Sequence, residues 1–70
     1  MTISPESWWG SVTAAEFDAL TTPQRHAVSL AAHGVGQREA ARLIGVSRTA
    51  YTDRLRHAEQ RILAYRSEAA

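Results

Sequence analysis

The sequence predicts an all-α fold, a compact bundle of four short helices plus an N-terminal helical turn. Three observations carry that expectation. Capping residues, prolines and glycines recur at helix-length spacing along the chain. Tyr51, Leu55, Ala58, Ile62 and Tyr65 follow one another at spacings of 4, 3, 4 and 3, which puts them on a single helical stripe. No stretch alternates apolar and polar residues over the length of a strand.

Taken in order, Ser4, Pro5 and Glu6 supply a cap, a proline for the first helical position and an acid for the positive end of a helix dipole. Gly10 stops that segment just after Trp8 and Trp9. Adjacent helical residues point about 100° apart, so one tryptophan is expected to staple the segment to the core. The other is then a candidate anchor for a second protein, because exposed tryptophan is enriched at interface hot spots. Thr13 and Glu16 have the spacing of a capping box, with Phe17 and Leu20 following on one side. Thr22–Pro23 opens a third helix whose Ala27, Val28, Leu30 and Ala31 recur at helical spacing until Gly34. After the Gly34-Val35-Gly36 connection, residues 37–44 read as a helix with Ala40, Ala41, Leu43 and Ile44 inward, closed by Gly45. Ser47 caps a last helix over 48–65. Opposite its apolar stripe stand Thr49, Asp53, Arg56 and Gln60, flanked by Thr52 and His57.

Seventy residues allow one core, here divided into an N-terminal arm or short helix over 1–12 and a domain over 13–70. Apolar types make up 44% of the chain, but 13 of those residues are alanine. What remains builds a few tightly packed helices and no deep cleft, so no catalytic residues are assigned and no enzymatic activity is expected. The absence of cysteine excludes disulfides and thiolate zinc sites. His26 and His33 stand seven residues apart on the third segment and His57 on the last, with no HxxxH pair, so neither a metal nor any cofactor is expected. No run of 18 apolar residues occurs, and a cytoplasmic protein with no membrane contact and no small-molecule substrate is the default expectation.

The near-neutral net charge of +1 conceals an asymmetry. Residues 1–24 hold Glu6, Glu16 and Asp18 and no base, whereas residues 25–70 hold all eight arginines against Glu39, Asp53, Glu59 and Glu68. Segregated charge of this kind suggests a nucleic-acid partner. Arg54, Arg61 and Arg66 lie off the polar arc of the last helix and are expected to be plain solvated residues.

Residues 37–56 are the most specific part of the chain. A short helix, a three-residue turn containing Gly45 and a second helix opening at Ser47 match a helix-turn-helix plan over 37–44 and 48–65. Ala41 is small enough for the second helix to cross closely, Gly45 tolerates the left-handed backbone that ends the first helix, and Val46 plugs the turn. Ile44 and Tyr51 are expected to pack across the corner.

Leu20-Thr21-Thr22-Pro23-Gln24-Arg25, Gly34 to Ala41, Ile44-Gly45-Val46-Ser47-Arg48 and Arg54-Leu55-Arg56-His57-Ala58 together resemble region 4 of bacterial sigma factors and the related LuxR-type domains. The resemblance spans about 45 residues. Three positions depart from its pattern: Tyr51 replaces a β-branched residue, Gly36 replaces a serine or threonine, and Asp53 puts an acid on a surface usually neutral or basic.

The resemblance implies a bacterial or phage transcription regulator that binds double-stranded DNA sequence-specifically. Ser47, Arg48, Thr49, Thr52, Asp53 and Arg56 would face base edges in the major groove, and Gln37, Arg38 and Arg42 would face phosphates. A monomer this small binds weakly, so a homodimer is a further expectation, with Ile62 and Tyr65 as its seam and Trp8 and Trp9 as a second protein interface. The alternative reading is a protein-interaction module that engages RNA polymerase or a sigma or anti-sigma partner without reading DNA.

Overall fold

The computed structural model describes residues 6–69, so the cap expected at Ser4–Pro5 lies outside them. The described chain is all-helical: α1 (Glu6–Trp9), α2 (Ala14–Asp18), α3 (Thr22–Ala32), α4 (Gln37–Ile44) and α5 (Arg48–Ala69). The 22 residues of α5 rise about 33 Å, which accounts for most of the molecule's 36 Å long axis. This helix continues past Tyr65, where its apolar stripe stops.

Local chemistry defines the helix ends. Thr13 and Glu16 form the expected capping box, each side chain accepting from the other's backbone N–H. Thr21 and Gln24 form a second box one residue ahead of the Thr22–Pro23 opening of α3. At the other end of α3 the Gly34 N–H donates to Ala31 and the Val35 N–H to Leu30, and the left-handed Gly34 permits this double closure. The same pattern ends α4, where Gly45 sits at φ 84° and the Val46 N–H donates to the Ala41 carbonyl. Ser47 Oγ then accepts from the Ala50 N–H at 3.1 Å and starts α5.

The core is a seam along α5. Tyr51, Leu55, Ala58 and Ile62 are all buried and meet Ala27 and Val28 of α3, Ala40 and Ala41 of α4, Leu20 and Trp9. The three alanines Ala27, Ala40 and Ala58, like Ile62, have no exposed surface, and the small size of the alanines lets the three long helices approach closely. The Tyr51 hydroxyl crosses this contact and donates to the Ala27 carbonyl at 3.2 Å. One expectation about an inward face needs correction. Leu43 is 62% exposed, because α4 is drawn in through Ala40, Ala41 and Ile44, and position 43 falls about 100° from the centre of that face. Tyr65 is 37% exposed because α5 runs beyond the helices that cover its earlier turns.

The five-residue α2 is too short to hold itself together and is secured by arginines. Arg25 donates from Nε to the Phe17 carbonyl (3.2 Å) and from Nη2 to the Asp18 carbonyl (2.9 Å). Arg61 Nε donates to the Ala19 carbonyl at 2.6 Å. Arg66 makes a two-pronged contact with the buried Glu16 carboxylate, at 2.6 and 3.1 Å, and its guanidinium lies 5.3 Å from the centre of the Trp8 ring. Arg61 and Arg66 therefore tie α5 to α2 while part of each side chain stays in solvent.

The Arg66 guanidinium, together with the Thr13 N–H, lowers the Glu16 carboxyl from 4.5 to about 2. A carboxyl whose folded pKa is depressed stabilises the fold fully above its unfolded pKa and loses that contribution as pH falls toward the folded value. Thermal unfolding followed by circular dichroism is therefore expected to show a melting temperature that drops between pH 4.5 and 2. Glu16→Gln should lower the melting temperature at pH 7 and flatten that segment of the curve; an unchanged acid limb in the variant would refute the assignment.

Candidate nucleic-acid interface

The core contacts of Tyr51 and Leu55 set the rotation of α5 and thereby decide which residues face outward. At about 100° per residue, Arg48, Thr52, Arg56, Thr49 and Asp53 fall within one arc of about 140° that begins beside the buried stripe at Arg48 and reaches the opposite side at Asp53. Ser47, Arg48 and Thr49 are exposed, while Thr52, Asp53 and Arg56 are partly buried at the same face. The structure thus brings the six expected base-facing residues together on the first turns of one helix and the turn before it. Arg56 Nη2 lies 3.3 Å from Asp53 Oδ1, one turn earlier on α5.

Gln37, Arg38 and Arg42 stand exposed on α4, Gln37 and Arg38 in its first turn. Arg42 pairs with Glu39 within α4. Gly36 occupies the N-cap position with extended backbone and offers no side-chain acceptor, so the first amides of α4 are left without a side-chain cap. Amides in that state, at the positive end of a helix, are suited to anions.

The arginines divide by partner. Arg25, Arg61 and Arg66 hold α2, while Arg42 and Arg56 are in pairs three residues apart on their own helices. Arg38, Arg48 and Arg54 have no hydrogen-bond or ion-pair partner among the described residues. Every arginine not tied to α2 therefore belongs to α4 or α5.

The expected protein-interface residues are distributed differently. Trp9 and Ile62 belong to the chain's own core, at 2% and 0% exposure, which corrects their placement at a partner surface. Ile62 is covered because the last turns of α5 pack on α2 and α3, and Trp9 because α1 packs on α3. Trp8 is half-buried, edge-on to Trp9 with ring centres 4.9 Å apart. Of that set only Tyr65 is exposed. Sequence reasoning missed the exposed Leu43, which lines an open groove between α3 and α4 with His26, Ser29, Leu30 and Ile44.

Among the described residues no three His, Asp or Glu side chains gather as metal ligands, and no helix is long and apolar enough to cross a membrane. The chain matches no protein-family model, no curated protein and no solved structure.

A methyl group added at Gly36 would meet nothing within 4 Å. Gly36→Ser is therefore expected to supply the missing cap and to restrict the unfolded chain, raising stability by roughly 0.5–1 kcal/mol in urea titrations. A loss of stability would show that the N-cap geometry of α4 is set by something other than its backbone.

Proposed function

We propose that the chain binds double-stranded DNA as a helix-turn-helix, with the first turns of α5 in the major groove and the start of α4 against the phosphate backbone, and that it serves as a transcription regulator. The observation that carries this reading is the partition of the arginines. Those that the fold does not use for α2 all lie on α4 and α5, and Arg38 and Arg48 are exposed and unpaired among the described residues.

In this reading Arg48 and Arg56 present planar forks suited to guanine O6 and N7, and Asp53 accepts from cytosine N4. Ser47, Thr49 and Thr52 add short hydroxyl contacts. Gln37, Arg38 and Arg42 fix the register through phosphates, which carry no sequence information of their own. The sigma-factor region 4 resemblance supports the same docking. No cofactor and no chemical step is needed, since occupancy of a site is the activity.

The competing reading is a protein-interaction module that engages RNA polymerase or a sigma-related protein. One observation favours it: exposed Leu43 beside Leu30 and Ile44 forms an apolar groove that none of the α5 arc residues lines. Selection of bound sequences from a random duplex pool, followed by titration against salt, separates the two. With Arg38 and Arg42 each neutralising one phosphate, log K is expected to fall against log salt with a slope of about −2. Arg38→Ala should weaken all duplexes alike and reduce the slope by about 1. Arg48→Ala should cost about 1–3 kcal/mol of discrimination at one base pair. No preferred sequence and no salt-dependent binding would sink the DNA reading and leave the Leu43 groove as the working surface.

A further inference from the structure

We infer that Asp53 is a specificity-determining residue that holds Arg56 in the free protein and releases it productively only at a G·C pair. The inference rests on the DNA-binding reading above and goes beyond it, because it assigns the acid a role in rejecting wrong sequences.

The two side chains sit one turn apart on the outward arc of α5, with Arg56 Nη2 3.3 Å from Asp53 Oδ1. Both are partly exposed, Arg56 at 39% and Asp53 at 48% of the side chain. Arg56 Nε is shielded from solvent and makes no hydrogen bond. The guanidinium therefore lies along the helix surface and has the Asp53 carboxylate as its ionic partner, an arrangement that turns it away from an extended reach.

A polyanion approaching this face meets a carboxylate. Drawing Arg56 off to a phosphate leaves Asp53 negative, unpaired and close to the duplex, which opposes binding. A G·C pair removes that conflict. In the major groove it displays the guanine O6 and N7 acceptors beside the cytosine N4 donor. Arg56 exchanges the carboxylate for the guanine acceptors, and Asp53 exchanges the guanidinium for the cytosine amino group. Each member of the pair keeps a partner of complementary charge or polarity in the complex, as each has one in the free protein. An A·T pair in the same place alternates acceptor, donor and acceptor, so Arg56 finds a single acceptor instead of the adjacent O6 and N7, and the exchange is incomplete. Discrimination arises because the wrong sequence breaks an existing ion pair without fully replacing it.

The test uses the full chain as wild type, Asp53→Ala and Asp53→Asn, the last keeping the shape of the side chain without its charge. Each is taken through selection from a random 20-base-pair duplex pool, and its affinity is then measured for the wild-type-selected duplex and for a scrambled one. The expected result is a G·C requirement at one position in the wild type. Both variants should bind the scrambled duplex more tightly, and their preference for G·C at that position should fall about tenfold, with melting temperatures close to wild type. Variants that keep the full G·C preference, or that weaken on both duplexes equally, would overturn the role of Asp53 while leaving DNA binding intact. Failure of all three proteins to bind any duplex in a salt-dependent manner would overturn the inference together with the reading beneath it.

Discussion

Tyr51 is where the three long helices become one object. Its ring is buried in one core cluster with the fully buried alanines of α3 and α4, and its hydroxyl donates to the Ala27 carbonyl of α3. Burial raises the phenol pKa and keeps it a neutral donor. A β-branched residue in the same place would fill less volume and make no such bond. Since Tyr51 stands one turn into α5, whatever fixes its direction also fixes the direction of the outward arc that begins at Arg48. The orientation of the candidate interface is thus a consequence of core packing, and a larger residue at Ala27 or Ala40 would rotate or lift α5 along with it.

The charge asymmetry takes on a different meaning once partners are known. Acid in the first third and arginine in the rest suggests two surfaces with separate jobs, yet Glu16 and Arg66 meet across the fold and leave little charge showing there. Arg25 and Arg61 neutralise no acid and instead satisfy the carbonyls at the C-terminal end of α2. A helix of five residues has more unsatisfied ends than internal bonds, and long cationic side chains from α3 and α5 provide the missing donors. The basic character left for a partner is confined to α4 and α5.

Features that depend on neighbours in sequence were legible. The Thr13–Glu16 box, the left-handed Gly45, the Ser47 cap and the apolar stripe from Tyr51 to Ile62 each follow from a local rule, and each is observed. The all-helical class and the position of the α4–α5 corner follow from them. Features that depend on distant segments were not. Arg66 looks like any exposed arginine until residue 16 lies beside it, and Ile62 looks like spare apolar surface until α2 and α3 cover it. Leu43 shows a limit of periodicity itself: over eight residues an apolar face of two alanines and an isoleucine leaves room for a leucine at either edge, and only packing decides. The outward arc of α5 was readable because it is the complement of a strongly marked buried stripe. Asp53 and Arg56 were readable as residues of one polar face, whereas their pairing and the shielded Nε were not.

The Glu16–Arg66 contact bridges 50 positions in the chain, and the Tyr51–Ala27 bond 24. On a ribosome these distances become waiting times. The first two helices emerge early, and α1 can settle as soon as α3 follows it. By contrast, α2 has no partner for its buried acid until the far end of α5 has been made. Contacts over longer separations form against a larger loop-closure cost. Arg25 of α3 can reach the carbonyls of α2 long before Arg66 is made, so α2 is tethered first through its backbone and its buried acid is paired last.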